Sequence, residues 1–231
     1  MIRLLSLLIS LFIGVFSLGA QERSITDWDC QSSLSLEQGQ EGLKKLEVVY
    51  SGMKGFRSTF LQESYLAALD TVESSKGDVL FLMPSKMRWK YSSPEPQDFV
   101  LNQSEVKMYQ PSLNQGFVDN LNNVLISELP VSFLAGVGKL SAGFSLKKAC
   151  RGPRGTNYFL TPLNDDSQGA LNSLTLISSP AGELLGGKVV DSVGNYTAIL
   201  LEARIGSAVP AESEFNFTFP AGTDVQDRRE R

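Results

Sequence analysis

Between Gly77 and Pro111 the chain reads GDVLFLMPSKMRWKYSSPEPQDFVLNQSEVKMYQP. Short alternating runs are separated by proline and polar turns. Met87, Trp89 and Tyr91 fall on one side of a strand, and Arg88 and Lys90 on the other. A sheet with one face this apolar and aromatic must cover it, either with its own core or with a guest.

The rest of the chain extends this pattern. Residues 34–54 read as an amphipathic helix, with Leu36, Leu43, Leu46, Tyr50 and Met53 at helical spacing. Gly39 and Gly42 weaken its start, and Gly52 and Gly55 mark its end. Residues 56–66 switch to period two, and the polar run DTVESSKG predicts a turn. Strands follow at 77–82, 86–91, 97–102, 105–109, 115–118, 143–149, 156–161, 171–177, 184–191, 195–205 and 214–219. Pro130 opens a short helix to Ala135, ended by Gly136 and Gly138. The tail DVQDRRER is expected to fray. With hairpin-length connections and no βαβ rhythm, the expectation is one domain: a mainly β, incomplete antiparallel barrel of about eleven strands with short capping helices.

Residues 1–20 read as a secretory signal peptide. Arg3 precedes an apolar stretch from Leu4 to Phe16, and Gly19-Ala20 offers a cleavage site. The apolar run is short for a membrane span. Gln21, not cysteine, follows Ala20, so the domain at 21–231 is expected to be released without a lipid anchor. Removing Arg3 takes the formal charge from −4 to −5. An acidic protein has no electrostatic reason to seek nucleic acid or anionic headgroups. Cys30 and Cys150 are the two cysteines, and an oxidising compartment favours a bridge between them. Two separate buried thiols are the alternative. The chain contains no histidine, which removes Ser-His-Asp and Cys-His nucleophile systems and histidine-based zinc and haem sites. No enzyme, cofactor or metal is expected.

Other signals dissolve on inspection. The segment Gly136-Val-Gly-Lys139 lacks the upstream glycine and following hydroxyl of a phosphate loop. Asp165-Asp166 lacks the further ligands of a calcium loop. The apolar face survives, with Phe60, Phe81, Met87, Trp89, Tyr91, Tyr109, Val131, Phe133 and Leu134 as its expected members. A curled sheet of this size can leave more interior than its side chains fill, and a ligand for such a space must be apolar.

In several segments, taken in order, the chain resembles the LolA family of periplasmic outer-membrane lipoprotein carriers. The first is Phe60-Leu61-Gln62. Next come Gly77 through Pro84 to Trp89 and Tyr91, then Tyr109-Gln110-Pro111 and the lid-like Pro130–Leu134. Tyr158-Phe-Leu-Thr-Pro162 follows, and Phe215 through Pro220 to Asp224-Val225 closes the series. The resemblance implies a half-barrel capped by helices. It also implies a periplasmic job: accepting acylated lipoproteins from an inner-membrane ABC release complex, hiding their acyl chains, and passing them to an outer-membrane acceptor, as a monomer. A lipid- or lipoprotein-sensing regulatory module of the same fold is the alternative. The chain departs from the family at Met83, where carriers often have an arginine that latches the lid; methionine cannot donate those bonds. At Asn102-Gln103 the family tends to have Asp-Gly. Gln tolerates positive φ less well, so a different turn is expected.

Overall fold

The computed structural model describes residues 25, 28–121, 140–163, 171–204 and 209–229. Among them, thirteen strands join one sheet. They are β1 (Ser32–Ser33), β2 (Gly55–Leu66), β3 (Thr71–Leu82), β4 (Lys86–Ser93), β5 (Gln97–Asn102), β6 (Glu105–Gln110) and β7 (Gln115–Asn120), then β8 (Phe144–Arg151), β9 (Thr156–Pro162), β10 (Leu171–Ser178), β11 (Leu184–Asp191), β12 (Tyr196–Arg204) and β13 (Asp224–Asp227). Two helices, α1 (Leu36–Gly52) and α2 (Leu140–Gly143), accompany them. The spatial order is β1-β8-β9-β10-β11-β12-β2-β3-β4-β5-β6-β7-β13. The sheet is open, with β1 and β13 at its edges. All neighbours run antiparallel except β13, which lies parallel to β7.

α1 begins where the sequence can satisfy its first amides. Ser35 Oγ accepts from the Gln38 amide at 3.1 Å, and Gln38 Oε1 accepts from the Ser35 amide at 3.0 Å, a reciprocal capping box. Leu43, Leu46 and Tyr50 are buried at helical spacing, whereas Leu36 is exposed. The helix packs against β8 and β9.

Each face of the sheet has its own cover. On the inner face, α1 and side chains from β2 to β12 form the main apolar cluster. On the outer face of β10 to β12, Ile25 and Trp28 pack with Ile177, Ala198 and Leu200. The Cys30–Cys150 disulfide, with Cα atoms 5.5 Å apart, ties this N-terminal segment to β8. On the outer face of β2 to β7 lies a C-terminal strap, residues 209–219, which then leads into the edge strand β13. Its 3-10 turn Glu212–Phe215 rests on β4 and β5. Arg57 holds the Glu214 carboxylate with both terminal nitrogens, one at 2.7 Å. Arg88 donates to the Glu214 carbonyl at 3.1 Å, and Lys107 to the Phe217 carbonyl at 3.3 Å.

Three local expectations are corrected. The polar run DTVESSKG is no turn: β3 starts at Thr71 and pairs with β2 as far as Leu66, so the chain reverses over residues 67–70. Residues 214–219 form a 3-10 turn followed by irregular chain, not a strand. The tail is held through β13. In the short turn between Asn102 and Glu105, Gln103 takes a left-handed conformation at φ +64°. The expected helix at Pro130–Ala135, its stop at Gly136 and Gly138, and the segment 1–20 lie outside the described residues.

Candidate functional site

The inner face is built by register. Phe60 of β2 stands opposite Gly77 of β3, which stands opposite Tyr91 of β4. Val79 stands opposite Trp89, and Phe81 opposite Met87. On β5, Phe99 faces Trp89 and Leu101 faces Met87. Because strand side chains alternate, all of these share one face. Gly77 leaves the gap that lets the flanking rings meet. The Phe60 ring lies edge-on to Trp89 with centroids 4.7 Å apart, and to Tyr91 at 5.1 Å. A Cβ built at Gly77 would come within 2.0 Å of the Lys90 carbonyl oxygen. Phe81 extends the cluster to Phe56 at 5.5 Å and to Tyr50 of α1 at 5.9 Å.

Phe60, Phe81, Met87 and Trp89 are each 1% exposed. Tyr91 is half-buried, and its hydroxyl donates to Gln62 Oε1 at 3.0 Å. Between β2 and β5 the central inner positions carry no charged side chain. Burial pushes the Tyr50 phenol well above its usual range, so it too stays neutral. The face consists of hydrocarbon, aromatic rings and one thioether, closed by their packing on one another.

The structure thus brings together Phe60, Phe81, Met87, Trp89 and Tyr91. Tyr109 is not with them. It stands opposite Asp98, which pairs with Arg88 on the outer face, and its ring lies 6.0 Å from Phe217 and 6.3 Å from Phe219 of the strap. Its neighbour Met108 takes the inner position opposite Phe99. Val131, Phe133 and Leu134 lie outside the described residues. Met83 sits at the β3–β4 turn, where its amide donates to the Lys54 carbonyl at 2.9 Å and its side chain packs against the main cluster.

The second half of the sheet adds Tyr158, Leu160, Leu174, Leu176, Ile199 and Leu201 to the inner face, none of them among the expected members. Their alternation was legible, but no aromatic repeat drew attention to it. Clefts open elsewhere, the two larger being these. One, of about 300 Å³, is lined by Gln38, Lys45, Arg151 and Ser179 among others. The other, of about 350 Å³, lies by Arg57, Asp78, Arg88, Lys90 and Glu214. Both are too rich in polar and charged groups to receive hydrocarbon.

Residues 51–218 match the family model described as outer membrane lipoprotein carrier protein LolA. The chain is 28% identical over 185 residues to an outer-membrane lipoprotein carrier protein of Methylobacillus flagellatus, covering 80% of this chain and 88% of that one. It is 28% identical over 183 residues to one from Bordetella pertussis, covering 79% and 84%. Among solved structures, an uncharacterized conserved protein from Thermus thermophilus shares the fold. The TM-score is 0.52 at 16% identity, covering 83% of this chain and 99% of that one.

Proposed function

The chain belongs to the LolA family of outer membrane lipoprotein carrier proteins, and we propose that it binds lipoprotein acyl chains against the inner face of its sheet and carries them across the periplasm. The observation that carries this reading is the uncharged inner face of Phe60, Phe81, Met87 and Trp89. Hiding hydrocarbon contributes about 0.8 kcal/mol per methylene, so a multiply acylated protein left alone stays in whichever membrane holds it. A carrier supplies an interior close enough to lipid to take the tails and adaptable enough to release them. Met87 offers flexible lining; Trp89 and Phe60 offer area without charge.

No chemistry is required of the protein. Its cargo is an acylated lipoprotein, loaded from an inner-membrane ABC release complex and handed to an acceptor at the outer membrane. Export through the segment 1–20 and the Cys30–Cys150 bridge suit an oxidising compartment.

The test uses the two tryptophans. In a Trp28→Phe variant, Trp89 is the sole indole. Titration with a triacylated lipopeptide is expected to change its emission saturably, and protein purified from a lipoprotein-making host is expected to carry acylated cargo by native mass spectrometry. Unchanged emission together with cargo-free protein would end this reading.

A further inference from the structure

Among the described residues the inner face holds few polar side-chain groups, and those below bond to one another or to backbone. Tyr91 donates to Gln62 Oε1, and Gln62 Nε2 donates to Ser64 Oγ at 3.1 Å. Ser58 donates to the Thr59 carbonyl at 2.9 Å, and the Tyr158 and Ser178 hydroxyls share a bond at 3.2 Å. Trp89 is the exception. Its indole is buried at 1% exposure, and Nε1 has no hydrogen-bond partner among the described residues. Its neighbours Phe60, Val79 and Phe99 offer no side-chain acceptor.

Burying a donor without an acceptor is costly. Phenylalanine would keep most of the ring contact without that cost. The indole N–H can only donate, so whatever satisfies it must bring an acceptor. A charged phosphate or carboxylate is penalised in such surroundings. An ester carbonyl is a neutral acceptor without a donor of its own, and it sits at the head of every O-linked acyl chain. Resting on the carrier reading above, we propose that Trp89 Nε1 donates to an ester carbonyl of the bound lipid, so the site selects O-acyl chains over plain alkyl chains. Trp28 Nε1 also lacks a partner, but it lies on the outer face and serves as the internal control.

The test compares two ligands of equal chain length: a dipalmitoylglyceryl-cysteine peptide and its ether-linked dihexadecyl counterpart. The purified chain is expected to bind the ester about fivefold more tightly, the size of one neutral hydrogen bond. With ¹⁵N-labelled tryptophan, the Trp89 indole resonance is expected to move downfield with the ester and not with the ether, while the Trp28 resonance stays in place. Trp89→Phe is expected to bind both ligands equally. Equal wild-type affinities with a stationary Trp89 resonance would overturn the ester contact and leave the carrier reading intact. An ester preference that persists in Trp89→Phe would overturn it too. If neither ligand binds, the ester contact and the carrier reading fall together.

Discussion

Glu214 shows how one carboxylate fixes a length of chain. The Arg57 guanidinium grips it from β2, the Ala211 amide donates to Oε1 at 2.8 Å, and Arg88 takes the residue's carbonyl. The bonds from Arg57, then that from Ala211, hold the carboxyl below its ordinary value of 4.5. The sign follows from linkage. A group whose folded pKa is depressed contributes stability that is complete above its unfolded value and is lost as pH falls through the folded value. Wild type is therefore expected to melt above Glu214→Gln at neutral pH, with the gap closing progressively below pH 4.5. A gap that persists at acid pH would mean that the strap depends on contacts other than this carboxylate.

At the scale of elements, α1 approaches the sheet through small residues. Gly42 lies over Tyr158 of β9: a Cβ there would stand 2.4 Å from the hydroxyl and 3.2 Å from the ring. Replacing glycine by alanine inside a helix ordinarily stabilises by about 1 kcal/mol. Here the Tyr158 hydroxyl is buried and bonded to Ser178, so moving aside for the new methyl breaks that bond. Gly42→Ala is expected to destabilise by about 1–3 kcal/mol as an overpacking defect, measured by urea unfolding, with part of the loss recovered in a Tyr158→Phe background. A more stable Gly42→Ala protein would refute this packing. The glycines that weakened α1 as a sequence pattern are thus part of its docking surface. The helix and most strands were legible because burial writes a period of 3.6 or 2 into the residues it covers. The first half of β3 was not, because Thr71 to Lys76 extend the hairpin beyond the core, where neither face needs apolar residues. The strap misled in the opposite sense. Phe215, Phe217 and Phe219 alternate like a strand, yet that segment is held by side chains of Arg57, Arg88 and Lys107 and lacks a ladder of its own. Tyr109 was misplaced for a related reason: the outer face is aromatic as well, because the strap covers it.

At the scale of the described residues, the chain joins the two halves of its sheet through the β12–β2 pair and leaves β1 and β13 as edges, while Ile25 and Trp28 and the strap cover parts of the outer face. The disulfide governs one of these wraps. It joins residues 120 apart in sequence, for which the chain-entropy model gives roughly 5 kcal/mol of stabilisation. At this chain length that corresponds to a melting temperature about 10–20 °C lower when the bridge is absent. Neither cysteine belongs to the inner face: Ala149 stands opposite the inward Tyr158, so Cys150 points outward to meet Cys30. The start of α1 keeps other anchors in the β1–β8 pairing, the bond from the Leu34 amide to the Ala149 carbonyl at 3.0 Å, and the capping box. Stability and binding should therefore separate. A Cys30→Ser/Cys150→Ser variant is expected to melt earlier by that margin, yet to bind an acylated peptide within about twofold of wild type at 20 °C. Affinity falling in step with stability would mean that the N-terminal wrap shapes the inner face from behind, through Ile177, Ala198 and Leu200. The binding surface would then be a property of the whole sheet, not of the Phe60–Trp89 cluster.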